Sequence, residues 1–355
     1  MINKTGYWLI LFFVLTGCAF GSPKEQINDV ETTGNTVEAL AKNLNIPWTI
    51  ARYDQTFYLT QRAGTIIEIT GETLREQTLS LTKNVHHEGE GGLLGFVLAP
   101  DFSITQKAYA YHTYKDGNEI NNRIIVLQKQ DDIWVEQNAL LEDIPGGKIH
   151  NGGRIKIGPD DMLYVTTGDA GNPDFAQDKN SLAGKILRIN LDGTIPTDNP
   201  MKASYLYSYG HRNPQGLAWD EDGNLYSTEH GQSAHDEINL IKPGQNYGWP
   251  LIQGDEESSG MVAPIFHTGE QTWAPSGIEY WNGNLYIATL RDGKIRRFDP
   301  ASKKVTILHE SSGRMRDVYI AENQLYTITN NRDGRGTPAK DDDKLLRIPL
   351  TEREY

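Results

Sequence analysis

The chain has 355 residues, enough to bury a substantial core, and a formal net charge of −13. That charge argues against a nucleic-acid binder, because phosphate contact requires basic surface. A single cysteine, Cys18, leaves no partner for a disulfide within the chain.

Residues 1–18 read as an export signal. Lys4 supplies the positive charge, 7–15 form a short apolar run, and Leu15-Thr16-Gly17-Cys18 places the thiol directly after small residues, the order of a bacterial lipobox. The apolar run is too short for a membrane span. The expectation is an exported periplasmic or cell-envelope lipoprotein that meets the membrane only through a lipid on Cys18; an ordinary signal peptide with an incidental cysteine is the alternative. Residues 19–35 are polar and read as a flexible tether, leaving 36–355 as one folded domain.

From there one pattern recurs: a polar turn, an apolar-Tyr pair, then a β-rich run. Its tyrosines are Tyr58, Tyr109, Tyr164, Tyr226, Tyr286 and Tyr326. Several copies follow turn signals such as Asp222-Gly223-Asn224, and many continue into a second strand, as at 64–69, 184–189, 293–298 and 344–348. A β-rich repeat of this length is the mark of radially arranged four-stranded sheets, so six copies predict an all-β, six-bladed β-propeller of antiparallel sheets. The ring is expected to close by pairing of a strand around Thr36 to Leu44 with the last blade, which removes exposed edges. The tyrosines themselves read as packing.

Function is then expected on the loops at one mouth. In chain order, Gly89-Glu90-Gly91-Gly92 is a glycine-rich turn entering an apolar strand. Lys148-Ile149-His150-Asn151-Gly152-Gly153-Arg154 places an imidazole on a glycine-rich loop, and Asp169 follows one strand later to orient it. A histidine held that way takes a proton from an alcohol near neutral pH. Tyr209-Gly210-His211-Arg212-Asn213-Pro214 sets a cation and an amide in a constrained loop, and Glu229-His230-Gly231-Gln232 follows the next repeat strand. Gly313-Arg314-Met315-Arg316 has two arginines that share a face if the segment is extended. Each segment alone has a bland reading as a turn or a solvated face. Together Arg154, Arg212, Arg291, Arg314 and Arg316 gather guanidinium at related phases of the repeat, which suits a small polyanionic ligand.

With these residues the chain resembles the soluble pyrroloquinoline quinone (PQQ)-dependent glucose and aldose sugar dehydrogenases, from about Trp48 to Ile348. The most specific stretches are Gly91-Gly92-Leu93-Leu94-Gly95 with Ala99-Pro100-Asp101-Phe102, Tyr209 to Gly216, Asp236-Glu237-Ile238-Asn239, and Asn246-Tyr247-Gly248-Trp249-Pro250. The resemblance implies a six-bladed propeller that oxidises an aldose at its anomeric carbon to the lactone. His150 then matches the general base and Asp169 its carboxylate partner. Arg212 and Asn213 match residues on the quinone, with Arg212 stabilising its oxygen. Arg314 and Arg316 match the arginines on the PQQ carboxylates, and Gly231 and Gln232 match the turn whose main-chain carbonyls hold Ca²⁺. Three positions depart from the glucose dehydrogenases: Glu90 replaces a glutamine near the substrate, Arg291 a lysine on the cofactor, and Gln232 a proline. The resemblance implies neither a preferred sugar nor an electron acceptor. A Ca²⁺-dependent lactonase or esterase on the same scaffold, and a non-catalytic carbohydrate-binding lipoprotein, are the alternatives, since fold alone does not choose chemistry.

Overall fold

The computed structural model describes residues 37–311 and 313–350, together with Met1. The expected export segment, Cys18 and the tether lie outside the described residues.

Among the described residues the strands form six four-stranded antiparallel units. Their first strands are Pro47–Tyr53, Leu93–Leu98, Ile155–Ile157, Pro214–Trp219, Pro275–Trp281 and Met315–Ala321. Their second strands are Thr56–Gln61, Lys107–Asp116, Leu163–Thr167, Leu225–Glu229, Asn284–Thr289 and Gln324–Thr329, and each carries one repeat tyrosine. All six tyrosines are buried, so the repeat is a packing signal, as expected. The sixth unit is completed by Glu38–Ala41, which pairs antiparallel with Leu345–Pro349 and closes the ring where the sequence predicts it.

One feature was not anticipated. The outer strand of the first blade, Thr73–Ser80, pairs in parallel with Ile133–Pro145 of the second, so these two blades form one eight-stranded sheet. The pairing occupies two edges that would otherwise be open templates.

The apolar core is not one central mass. It is six wedges, each shared by two neighbouring blades. Between the first two blades, Tyr58 and Phe96 meet Trp134 edge to face with centroids 5.8 and 5.1 Å away, and the Trp134 indole N–H donates to Gln77 at 2.7 Å. Branched and aromatic side chains alternate across each strand, which is what a twisted sheet packed on another sheet requires.

The axis is polar. The sequence pattern groups Arg154 with the cations at the mouth; in the structure it is buried on the axis, with its guanidinium 4.3 Å from the Trp48 ring. It donates to the Gln215 carbonyl at 2.9 Å and pairs with Asp317 at 3.0 Å. Asp317 also accepts the Ile50 amide at 2.9 Å, so this pair ties the third, sixth and first blades together. The reason is local: Arg154 directly precedes a first strand, and first strands line the axis. Asp317→Ala leaves the Arg154 cation without its carboxylate, and the expected loss is about 3–5 kcal/mol of unfolding free energy by urea titration; an unchanged midpoint would refute the axial tie.

Candidate active site

Antiparallel pairing puts the start of each first strand and the end of each second strand at the same mouth of the ring. Glu90, His150, Arg212, Asn213 and Arg314 precede first strands, Arg316 lies within one, and Asp169, Gly231, Gln232 and Arg291 follow second strands. The expected residues therefore share one mouth by register alone.

His150 sits in the left-handed backbone region (φ 56°), which is disfavoured for a residue with a β-carbon. Three bonds hold it there. Its amide donates to Glu90 Oε2 at 2.8 Å, its carbonyl accepts from Ala170 at 3.1 Å, and its ring Nδ1 lies 2.7 Å from Asp169 Oδ1. Gly168 passes directly beneath, where a β-carbon would collide with the His150 carbonyl. Gly152 (φ 60°) is needed for the same close approach, since a β-carbon there would lie 2.6 Å from the Thr166 carbonyl.

Asp169 is anchored on both oxygens. Oδ1 also accepts the Gly171 amide at 2.8 Å, and Oδ2 accepts the Trp249 indole N–H at 2.9 Å. The His150 side chain is 12 % exposed and that of Asp169 is 1 % exposed, so the pair is sheltered but reachable. With Asp169 accepting at Nδ1–H, Nε2 remains the basic nitrogen of the ring.

Three of the surrounding cations, Arg316, Arg62 and Arg212, make no direct ion pair among the described residues, although carboxylates lie nearby. Arg316 donates to Gln215 Oε1 at 2.6 Å, to Ser276 Oγ at 3.3 Å and to Asn330 Oδ1 at 3.3 Å, all neutral, and burial pushes it down to about 9. Arg62 donates to the carbonyls of Gly89 and Gly91, and burial lowers it to about 10. Arg212 reaches the His230 carbonyl at 3.3 Å, lies 5.3 Å from the Trp249 ring, and is likewise lowered by burial. Arg314 is better satisfied, with Asp333 bound at 3.0 Å through Nε and Nη2. Arg291 is exposed.

At this mouth, among the described residues, four buried donors or ring nitrogens have no partner: Arg212 Nε, Asn213 Nδ2, Arg316 Nε and His230 Nε2. Such groups are costly unless something binds them. Arg316 and His230 line a small hollow of about 20 Å³ together with Trp48, Arg62, Glu90 and Gln215. A second hollow of about 340 Å³ lies beside it, lined by Arg291, Arg314 and Asn331, and the two share Leu290 and Arg335. Arg314 and Arg316 therefore face neighbouring hollows rather than one surface, because the strand is irregular between Met315 and Asp317.

The turn at Gly231 and Gln232 is fixed from below by Asp236. Its Oδ1 accepts the Gly231 amide at 2.9 Å, and its Oδ2 accepts the amides of Trp273 and Ala274 at 2.6 and 2.8 Å. Among the described residues no donor reaches the carbonyl of Gly231 or Gln232. Free main-chain oxygens suit a hard cation such as Ca²⁺.

Sequence reasoning missed Arg62, Asp333 and Arg335, and it singled out the Glu229–Gln232 segment without a role for Glu229. Glu229 accepts the Arg212 amide and lies 2.9 Å from His211 Nδ1, so it sets the Arg212 loop. The signal for Asp333 and Arg335 was the charged, glycine-broken run Arg332-Asp333-Gly334-Arg335-Gly336, which reads as an ordinary loop.

Residues 44–347 match the family described as Glucose / Sorbosone dehydrogenase. The chain is 36 % identical to quinoprotein glucose dehydrogenase B of Acinetobacter calcoaceticus over 63 % of its length, a match that spans about half (54 %) of that relative. It is 30 % identical to aldose sugar dehydrogenase YliI of Escherichia coli (strain K12) over 94 % of this chain and 98 % of that one. The solved PQQ-bound aldose sugar dehydrogenase of Streptomyces coelicolor superimposes with a TM-score of 0.82 at 36 % identity, covering 89 % of this chain and 98 % of that one. A six-bladed ring with a carboxylate-held imidazole at a cation-rich mouth, and a match that runs through all six blades, lead to one assignment: the chain belongs to the glucose/sorbosone dehydrogenase family of oxidoreductases.

Proposed function

We propose that the protein oxidises aldose sugars at the anomeric carbon to lactones, using PQQ and Ca²⁺. The supporting observation is the His150–Asp169 pair beside guanidinium groups that make no direct ion pair and keep an N–H without a partner. When bound, PQQ supplies the acceptor for the hydride, and Ca²⁺ polarises it. His150 takes the proton of the anomeric hydroxyl at Nε2, while Asp169 and Trp249 hold the ring in place. Arg212 and Asn213 donate to the quinone oxygens through their free N–H groups, and Arg212 stabilises negative charge there. Arg316, Arg314 and Arg291 take carboxylates of the cofactor. The carbonyls of Gly231 and Gln232 ligate Ca²⁺. Glu90 faces the sugar as a hydrogen-bond acceptor. The protein works outside the cytoplasm as a lipoprotein anchored at Cys18.

Purified apo-protein given PQQ and Ca²⁺ is expected to reduce a redox dye with a panel of aldoses and to release the lactone, with both additions required. Lactone hydrolysis without PQQ would point to a hydrolase, and saturable sugar binding without turnover to a binding protein. The intact mass of the same preparation tests the lipid, which is present only if Cys18 is acylated.

A further inference from the structure

Glu90 is the one carboxylate lining the small hollow besides Asp333, and Asp333 is occupied by Arg314. One Glu90 oxygen accepts the His150 amide at 2.8 Å; the other lies 2.7 Å from Arg335 Nη1. Arg335 comes from the loop after the second strand of the sixth blade, 245 residues away in sequence. Its side chain is 54 % exposed, against 18 % for Glu90. Among the described residues its guanidinium makes no other hydrogen bond. An exposed pair of this kind adds at most ~1 kcal/mol to folding. Its location is more informative: Arg335, like Leu290, lines both hollows.

We propose that Arg335 is a positioning and specificity-determining residue for sugar oxidation: it reaches across the mouth to fix Glu90 as a charged, acceptor-only group beside His150. This rests on the sugar-oxidising reading above. A carboxylate with one oxygen held by an amide and the other by a guanidinium cannot rotate, and when ionised it cannot donate. The bound sugar must then present a hydroxyl that donates, next to the carbon that reacts. Burial by itself raises the Glu90 carboxyl, but Arg335 and the His150 amide outweigh it and hold it at about 2. The other charged or titratable groups facing Glu90 are His230, Arg62 and Arg212. Glu90 is therefore ionised throughout any practical assay range. Without Arg335, burial regains its weight, and the carboxyl rises toward the ordinary range near 4 or above. Protonated Glu90 becomes a donor, so an acid limb appears in kcat/KM as pH falls through the raised value.

The test compares wild type, Arg335→Ala, Arg335→Lys and Glu90→Gln. In Arg335→Ala, KM for a neutral aldose such as glucose is expected to rise about tenfold, with kcat and the PQQ dissociation constant within about threefold of wild type. An acid limb absent from wild type appears, and Arg335→Lys recovers most of KM. Glu90→Gln raises KM similarly, and the Arg335→Ala/Glu90→Gln double variant is no worse than either single change. Carbon-13 titration of Glu90 in apo-protein gives a readout independent of turnover, and its midpoint rises in Arg335→Ala. If Arg335→Ala weakens PQQ binding and leaves KM alone, Arg335 is a cofactor ligand and the proposal fails. It also fails if wild type turns over and Arg335→Ala matches it in KM and pH profile. A wild-type protein that oxidises no aldose removes the parent reading together with this one.

Discussion

Replacing His150 with alanine is expected to lower kcat by about 10²–10⁴-fold while leaving the PQQ dissociation constant nearly unchanged. On the proposed reading the imidazole accepts the hydroxyl proton, while its main chain does the structural work at that turn through the Glu90 and Ala170 bonds. Because the residue has φ 56°, His150→Asn is the needed companion: asparagine tolerates that backbone region and preserves the turn. Both variants should bind cofactor, judged by tryptophan fluorescence with Trp48 and Trp249 in the site, and both should fail in steady-state dye reduction. An asparagine variant that keeps wild-type turnover would show that the turn, not the imidazole, matters.

Arg316 carries the second large effect. It is buried, is pushed down to about 9, has one N–H without a partner, and donates only to neutral acceptors. Truncating a buried charge that pairs with a ligand carboxylate costs roughly 2–5 kcal/mol, or at least about 30-fold in affinity. Arg316→Met is therefore expected to weaken PQQ binding by that factor or more. The same change removes a cation that makes no direct ion pair, so the melting temperature of the apo-protein should hold or rise while the gain on adding PQQ shrinks. Paired thermal melts with and without PQQ decide between this and a structural role; a variant that melts early without cofactor and still binds PQQ tightly would overturn it.

Much of this was legible in the sequence because a propeller repeats its local chemistry. The apolar-Tyr pairs fall on the second strand of every blade, since each strand solves the same problem of filling a wedge between sheets. The pairing of His150 with Asp169 was readable because the two flank the open end of one antiparallel hairpin, ahead of its first strand and after its second. Contacts made across the ring were not. Arg335 meets Glu90 and Asp317 meets Ile50 only because closure brings distant loops together, and no local pattern encodes that. Arg154 was misread for a related reason: a charged residue beside a glycine turn looks solvated until the axis is known to be polar. The parallel seam between the first two blades depends on unusually long outer strands, which period and composition do not specify.

The closing strand Glu38–Ala41 is the outermost member of its blade, so residue 37 enters the fold at the perimeter of the disc. A linker joined ahead of it holds the molecule by its edge, like a coin gripped at the rim. Immobilised on an electrode through that end, the protein keeps the mouth that carries His150 and Asp169 clear of the support.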